Sequence, residues 1–196
     1  MLGVQPLTSR SGVALGLLAL VATLSACDLP GAHASDAATV NGHTIPRARW
    51  DHLVQVTTQQ LQNHVKVDLS TDTGKEQVKG LQAQSLRALV REEVIEELAA
   101  QRGVAVTEAD LDREVAQVTA TLGGEKALTA RLDQTSETPA DLRHTLRINL
   151  LQSKMRALSK TYDADYNKAV NAAQVEAYVP PCDGDHTWPQ CSGGPR

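Results

Sequence analysis

The chain has 196 residues, of which 41% are hydrophobic and only 3% aromatic, with no phenylalanine. This length accommodates one domain with its own core, and the scarcity of aromatic residues predicts a core of Leu, Val, Ile and Ala. The formal charge of −4 and the lack of a Lys/Arg-rich block argue against a nucleic-acid-binding protein.

Residues 1–26 have the pattern of an export signal rather than of a folded domain. Arg10 precedes the apolar run Val13–Ala22, which is much shorter than the roughly 20 residues that a transmembrane helix needs. The sequence Leu24-Ser25-Ala26-Cys27 follows, and its small residues suit the narrow groove of a signal peptidase. We therefore expect cleavage after Ala26 and a mature chain that begins at Cys27.

The segment Leu24–Cys27 resembles the lipobox of bacterial lipoproteins. The resemblance implies that the thiol of Cys27 carries acyl chains through a thioether, and two or more such chains give stable attachment. It also implies that the protein is exported and lipid-anchored to the extracytoplasmic face of the cell membrane. Two alternatives compete with this interpretation: a secreted protein cut after Ala34, well beyond the apolar run, and an uncleaved but unusually short membrane anchor.

Residues 27–37 are small and polar and predict a tether. The next segment, Ala38–Ile45, carries β-branched residues around Asn41-Gly42, a dipeptide typical of tight hairpin turns, and predicts a short strand or hairpin. Pro46 suits the first position of a helix because it lacks an N–H that would be unpaired there.

Helical periodicity of the apolar residues then predicts a first helix from Pro46 and a second from about Glu76 to Arg102. The polar segment Asp68–Gly74 is expected to be the loop between them. Gly103 is expected to end the second helix in a left-handed conformation. The apolar stripe of the first helix contains Trp50, Leu53, Val54, Thr57, Leu61 and Val65.

Three further helices and a short amphipathic piece are expected downstream. Thr107 with Asp110 predicts a weak capping box on the third helix, and the short piece holds Leu128 and Leu132. The segment Thr138–Asp141 combines an N-cap, a proline at the first helical position and an acid at the third. A last helix is expected within residues 161–179.

The chain is thus expected to be all-α with a minor N-terminal β strand or hairpin, and residues 180–196 are expected to form an irregular tail. Removing Cys27 from the three cysteines leaves Cys182 and Cys191, an even pair in a compartment where disulfides persist. A disulfide between them is the ordinary expectation, and because the tail lies outside the predicted core we expect Cys182→Ser to affect stability little. A zinc site is the alternative, with ligands drawn from Cys182, Cys191, His186, Asp183 and Asp185.

Four glutamates lie close together in the second helix, at Glu92, Glu93, Glu96 and Glu97. A solvated face is favoured over a catalytic or metal-binding patch, because arginines lie nearby in the sequence and no histidine completes a site. Those arginines are Arg87, Arg91 and Arg102. Trp50 is expected to lie in the core. The sequence shows no catalytic triad, phosphate-binding loop or dinucleotide motif, so we expect neither an enzyme nor a cofactor.

Three segments, in this order, resemble the N-terminal domain of SurA-type extracytoplasmic chaperones and of the related PrsA-type foldase lipoproteins. They are Ala38–Gly42 with Ile45, Leu86–Leu111 and Leu142–Gln152. The resemblance covers residues 38–160 and implies a helical chaperone domain that shelters unfolded exported polypeptides on an apolar helical surface. Gln174–Tyr178 resembles the segment that leads these chaperones into their parvulin isomerase domain, and only 18 residues follow it in the sequence.

The resemblance therefore implies a membrane-tethered chaperone without isomerase activity, whose partners are unfolded exported polypeptides and the membrane. The alternative is an accessory or interaction subunit of an envelope complex. A chaperone should bind many unfolded chains weakly, whereas an accessory subunit should bind one folded partner tightly.

Overall fold

The computed structural model describes residues 33–65 and 67–182. The expected signal and Cys27 lie outside these residues, as does Cys191. The elements in chain order are β1 (Asp36–Val40), β2 (His43–Pro46), α1 (Arg47–Val65), α2 (Asp72–Gln101), α3 (Glu108–Leu122), α4 (Glu125–Thr135), α5 (Pro139–Leu158), α6 (Tyr162–Ala172) and β3 (Val175–Ala177). The predicted fold class, all-α with a minor β element, is confirmed. None of the described helices combines the length and the apolar character needed to span a membrane.

The three strands form one antiparallel sheet in the order β2-β1-β3. The hairpin β1–β2 turns at Asn41 and Gly42, whose φ angles of 51° and 85° both lie in the left-handed region. Asparagine and glycine tolerate that region best, which explains why this dipeptide makes the turn. The predicted hairpin is therefore confirmed. Its first strand begins at Asp36, so residues 36 and 37 of the expected tether belong to the sheet instead, and Ala37 is fully buried.

The expectation of a helix over 161–179 is wrong in its second half. Helix α6 ends at Ala172, and Val175–Ala177 forms β3, with Val175 opposite Val40 and Ala177 opposite Ala38 of β1. The pairing partner lies at the other end of the described chain, and such distant pairing leaves no local periodicity from which it could be recognised.

Two predicted helix starts, those at Thr107 and Thr138, are confirmed by side-chain caps. The hydroxyl of Thr107 accepts a hydrogen bond from the backbone N–H of Asp110 at 3.1 Å, and the hydroxyl of Thr138 accepts one from Asp141 at 3.2 Å. In both pairs the aspartate side chain accepts a bond from the threonine N–H, so both are capping boxes.

The loop predicted over Asp68–Gly74 is shorter than expected. Thr71 caps α2 by accepting a hydrogen bond from the N–H of Gly74 at 3.0 Å, so the helix already begins at Asp72. A Cβ added at Gly74 would collide with the carbonyl oxygen of Asp68. This glycine therefore lets the loop pack against the first turn of α2 and does not break the helix. Pro46 ends β2, and α1 begins one residue later.

Helix α2 is 30 residues long, or about 45 Å, and contributes to two apolar clusters. The sheet-side core contains the buried residues Ala37, Ala38, Val40, Ile45, Trp50, Leu86, Leu89, Val90, Val94, Val175, Ala177, Val179 and Cys182. The α5-side core contains Ile95, Ala99, Val106, Leu111, Leu146, Ile148, Leu151, Met155 and Tyr162. Trp50 lies in the first of these clusters, as predicted, and its indole N–H donates to the carbonyl oxygen of Gln82 at 3.1 Å.

The expectation that Cys182 lies outside the core is wrong. Its side chain is fully buried in the sheet-side core together with that of Val179, so packing continues to residue 182, past the predicted start of the tail at residue 180. Tyr178 connects this segment to the first described residues: its N–H donates to the carbonyl oxygen of Ala37 at 2.8 Å, and its ring stacks on His33. The two ends of the described chain therefore meet at the sheet.

Candidate functional site

The predicted covalent sites can be followed only in part. Cys27 and Cys191 lie outside the described residues, as do Asp183, Asp185 and His186 of the alternative zinc site. Cys182 is buried and disulfide-bonded. The lipid on Cys27 and the pairing with Cys191 stay predictions.

A cleft of about 100 Å³ opens between α1 and α5, above α2, and we call it the α1–α5 cleft. One face of α1 lines it at positions i, i+3, i+4 and i+7, and shorter sets from α2 and α5 complete the walls. The lining residues are Arg49, His52, Leu53 and Val56 from α1, Leu89 and Glu92 from α2, Asp141, His144 and Thr145 from α5, and Glu137 from the turn before α5.

The apolar part of the lining consists of Leu53, Val56 and Leu89. Val56 and Leu89 are buried, and Leu53 is half-buried against the sheet-side core. The cleft therefore has an apolar floor that is continuous with the packed interior, while its other lining side chains are polar or charged.

A first cluster of polar side chains connects α1, α2 and α5. Arg49 of α1 donates to Oε2 of Glu92 on α2 at 2.7 Å, and Nε2 of His144 on α5 lies 3.1 Å from the same oxygen. The same His144 nitrogen is also within hydrogen-bond distance of the Arg49 guanidinium. Nε2 can accept from Arg49 or donate to Glu92, but one nitrogen cannot do both in a single tautomer.

A second pair of side chains, His52 and Asp141, connects α1 to the start of α5. Nε2 of His52 lies 2.8 and 2.9 Å from the two carboxylate oxygens of Asp141. Burial acts to raise the pKa of Asp141, but hydrogen bonds from the side chain and backbone of Thr138, together with His52, outweigh it and hold that pKa below its usual range. Asp141 thus caps α5 and at the same time anchors α1.

Glu137 stands at the rim of the cleft on a rigid turn. Ser136 has a φ of 58°, and the N–H of Glu137 donates to the carbonyl oxygen of Leu132 at 3.0 Å, which closes the end of α4. Gln60 of α1 donates to the carbonyl oxygen of Thr135 at 2.8 Å and fixes the turn to the wall of the cleft. The Glu137 carboxylate accepts a bond from the Thr135 hydroxyl at 2.7 Å, and no described cation forms an ion pair with it.

The interpretation of the four glutamates of α2 as a solvated face is correct only in part, because they are half-buried and bonded to other elements. Besides Glu92, Glu96 pairs with Arg147 of α5 at 3.7 Å, and Glu97 accepts from Asn41 of the hairpin at 2.6 Å. The side chain of Glu93 is only 16% exposed, and its burial, followed by repulsion from Glu96, raises the pKa of its carboxyl group. These partners lie far away in sequence and could not be found from helical spacing.

The described hydrogen bonds of the cleft pair its titratable side chains with one another. Among residues 33–65 and 67–182, no group of three His, Cys, Asp or Glu side chains could hold a metal ion. The bonds of His52 and His144 go to carboxylates and to Arg49, so neither histidine activates a hydroxyl or thiol in the described hydrogen bonds.

Sequence reasoning missed the cleft although part of the signal was present. Arg49, His52, Leu53 and Val56 share one helical face, which places two cationic or titratable groups on an otherwise apolar stripe. That mixture is unusual for a purely buried face. What the sequence could not supply was the opposite wall, because α5 lies some ninety residues away in the chain.

The chain was compared with models of known protein families. The family described as the SurA-like N-terminal domain matches residues 9–156, a range that contains the whole α1–α5 cleft. No curated protein and no solved structure matches the chain.

Proposed function

The chain belongs to the family of SurA-like N-terminal domains, and from this premise we propose that it is a chaperone for exported proteins. It holds unfolded polypeptides at the α1–α5 cleft and does no chemistry on them. The observation that carries the proposal is the apolar floor of Leu53, Val56 and Leu89 beneath charged walls.

The composition of the cleft fits an unfolded polypeptide. Such a chain exposes aliphatic side chains next to amides that need hydrogen-bond partners, and an apolar floor with polar walls accepts both. The cleft is small, about 100 Å³. Burying one aliphatic side chain contributes about 2 kcal/mol, which gives weak and reversible contacts. Weak contacts suit a chaperone that must release its client.

We propose further that acyl chains on Cys27 keep this domain at the outer face of the cell membrane, where exported chains emerge. The support is the lipobox-like segment Leu24–Cys27 behind a short apolar run. Cells given a labelled fatty acid should incorporate the label into the wild type and not into Cys27→Ser. Equal labelling of the two proteins would contradict the anchor and leave the chaperone proposal untouched.

Holding activity is tested with the full chain carrying Cys27→Ser, which removes the lipid. When a denatured exported protein is diluted into buffer, the chaperone should reduce light scattering, because a bound client cannot aggregate. Thr145→Lys places a long charged side chain at the mouth of the cleft and should weaken the effect severalfold. Asn149→Lys is the matched control, since it lies one turn further along α5, is equally exposed and does not line the cleft.

The same preparation should not accelerate a refolding reaction limited by proline isomerisation, which takes tens to hundreds of seconds without a catalyst. Scattering that is unaffected by a severalfold excess of the chain over several clients would contradict the chaperone proposal. The chain would then act as an accessory subunit of an envelope complex, and one folded partner should copurify with it.

A further inference from the structure

The charges in the α1–α5 cleft are unbalanced. Three carboxylates, those of Glu92, Glu137 and Asp141, line it against the single guanidinium of Arg49. The field inside the cleft therefore favours a positively charged ligand over a negatively charged one.

The three carboxylates differ in what they already bind. Glu92 is paired with Arg49 at 2.7 Å, and Asp141 accepts bonds from His52 and from Thr138. Glu137 accepts only the hydroxyl of Thr135 among its described contacts. A carboxylate has room for about four hydrogen bonds, so Glu137 retains capacity for a cation.

The position of Glu137 is fixed before any ligand arrives. Its backbone is held by the bond to Leu132, and the turn is held to α1 by Gln60. The apolar residues Leu53 and Val56 line the same cleft. Lysine and arginine side chains combine an aliphatic stem with a charged end, so they can cover an apolar floor while the charge stays at the rim.

On the basis of the proposed function, we infer that the α1–α5 cleft selects client segments in which a Lys or Arg side chain lies next to an aliphatic one. Glu137 is the counter-ion of the basic group, and Leu53 and Val56 contact its stem. An acidic side chain at the same position is disfavoured, because it would meet three carboxylates.

The inference is tested with three short, unstructured, fluorescently labelled peptides that differ only in their central residue: Leu-Lys-Leu, Leu-Gln-Leu and Leu-Glu-Leu. Binding to the full chain carrying Cys27→Ser is measured by fluorescence anisotropy at low salt. The Lys peptide should bind about threefold to fivefold tighter than the Gln peptide, as expected for a partly exposed ion pair. The Glu peptide should bind more weakly than both, and the preference should shrink as salt is added.

Two substitutions assign the preference to one side chain. Glu137→Gln should make the affinities for the Lys and Gln peptides equal without weakening the Gln peptide, and Glu137→Lys should reverse the order in favour of the Glu peptide. Glu125→Gln is the control, because it removes the same charge from the opposite, exposed end of α4 and should leave the preference intact. Thermal unfolding of each variant shows whether it is folded.

The result separates the inference from the function on which it rests. Equal affinities of the wild type for the Lys and Gln peptides, or a preference that survives Glu137→Gln, overturn the selection of basic segments while the holding of clients in the scattering assay still stands. A chain that suppresses no scattering and binds none of the peptides overturns both.

Discussion

The sheet-side core and the α1–α5 cleft are adjacent but stabilised by different physics. The core is built from side chains that are almost entirely buried, and segments from both ends of the described chain contribute to it. The cleft is bounded by ion pairs that remain partly hydrated: the side chains of Arg49 and Glu92 are 32% and 25% exposed. Leu89 belongs to both regions, so the cleft is continuous with the dry interior.

This difference explains how one small domain can be held together by a dry core and still expose a polar, partly hydrated cleft. Burial of apolar area contributes about 25 cal/mol per Å², whereas exposed ion pairs contribute at most about 1 kcal/mol each. Substitutions in the core should therefore change stability, and substitutions around the cleft should mainly change binding.

The largest effect is expected in the core. Leu86 is fully buried in the middle of α2, and Leu86→Ala should lower the free energy of unfolding by about 3 kcal/mol, since it leaves a cavity that its neighbours fill only in part. Leu158→Ala is the matched control, because Leu158 is 71% exposed and its truncation should cost less than about 0.5 kcal/mol. Chemical denaturation measures both, and equal losses would contradict the assignment of the core.

The two cysteines of the predicted disulfide can be compared in the same way. Cys182 is buried, whereas Cys191 lies outside the described residues. Cys182→Ser and Cys191→Ser both remove the predicted disulfide, but only the first also places a hydroxyl in the dry sheet-side core. Burying an unpaired hydroxyl costs about 1–3 kcal/mol, so Cys182→Ser should be less stable than Cys191→Ser by about 2 kcal/mol. If the two variants unfold at the same denaturant concentration, the segment around Cys182 is not part of the core.

A smaller and pH-dependent effect is expected where Asp141 joins the cap of α5 to His52. Because the pKa of Asp141 is lowered in the folded protein, its ionised form stabilises the fold above the unfolded pKa of about 4. Asp141→Asn should cost about 1 kcal/mol at neutral pH, as for loss of a helix cap. The difference from the wild type should vanish as the pH falls from 4 through the lowered pKa.

Melting temperatures of wild type and Asp141→Asn, measured from pH 7 down to acid, follow that difference. Asp133→Asn is the control, because Asp133 is exposed on α4 and caps no helix through its side chain. A gap between wild type and Asp141→Asn that stays constant across this range would mean that ionisation of Asp141 contributes nothing.

The smallest effect is expected for the ion pair between Arg49 and Glu92. A double-mutant cycle with Arg49→Ala and Glu92→Ala should give a coupling free energy below about 1 kcal/mol that decreases with added salt. A coupling of several kcal/mol would show that the pair is effectively desolvated, and the contrast between core and cleft would no longer hold.

The features that could be predicted from the sequence are those determined by residues close together in the chain. Capping boxes at Thr107 and Thr138, the Asn41-Gly42 turn and the burial of Trp50 each depend on a side chain and residues within a few positions of it. The three segments that resemble SurA-type chaperones also predicted the family correctly.

The features that could not be predicted depend on residues far apart in the chain. Strand β3 exists because β1 pairs with it, and Cys182 is buried because the sheet places it among residues from α1 and α2. The long-range partners of Glu92 and Glu97 come from α1, α5 and the hairpin, at separations of about fifty residues. A pattern of spacing within one helix carries no information about such contacts.

The middle position of β1 has a consequence for the order in which the protein can be completed during synthesis. Its neighbour β2 follows after a two-residue turn, whereas its other neighbour, β3, comes near the end of the described chain. The hydroxyls of Thr39 and Tyr178, which approach each other on that side, belong to residues 139 positions apart. A nascent chain leaves the ribosome N-terminus first, so β1 and β2 are made long before β3. Until β3 is made, one edge of β1 has no partner strand. An open strand edge is a template on which other chains aggregate. Pairing with β3 removes this hazard, because it covers the open edge of β1.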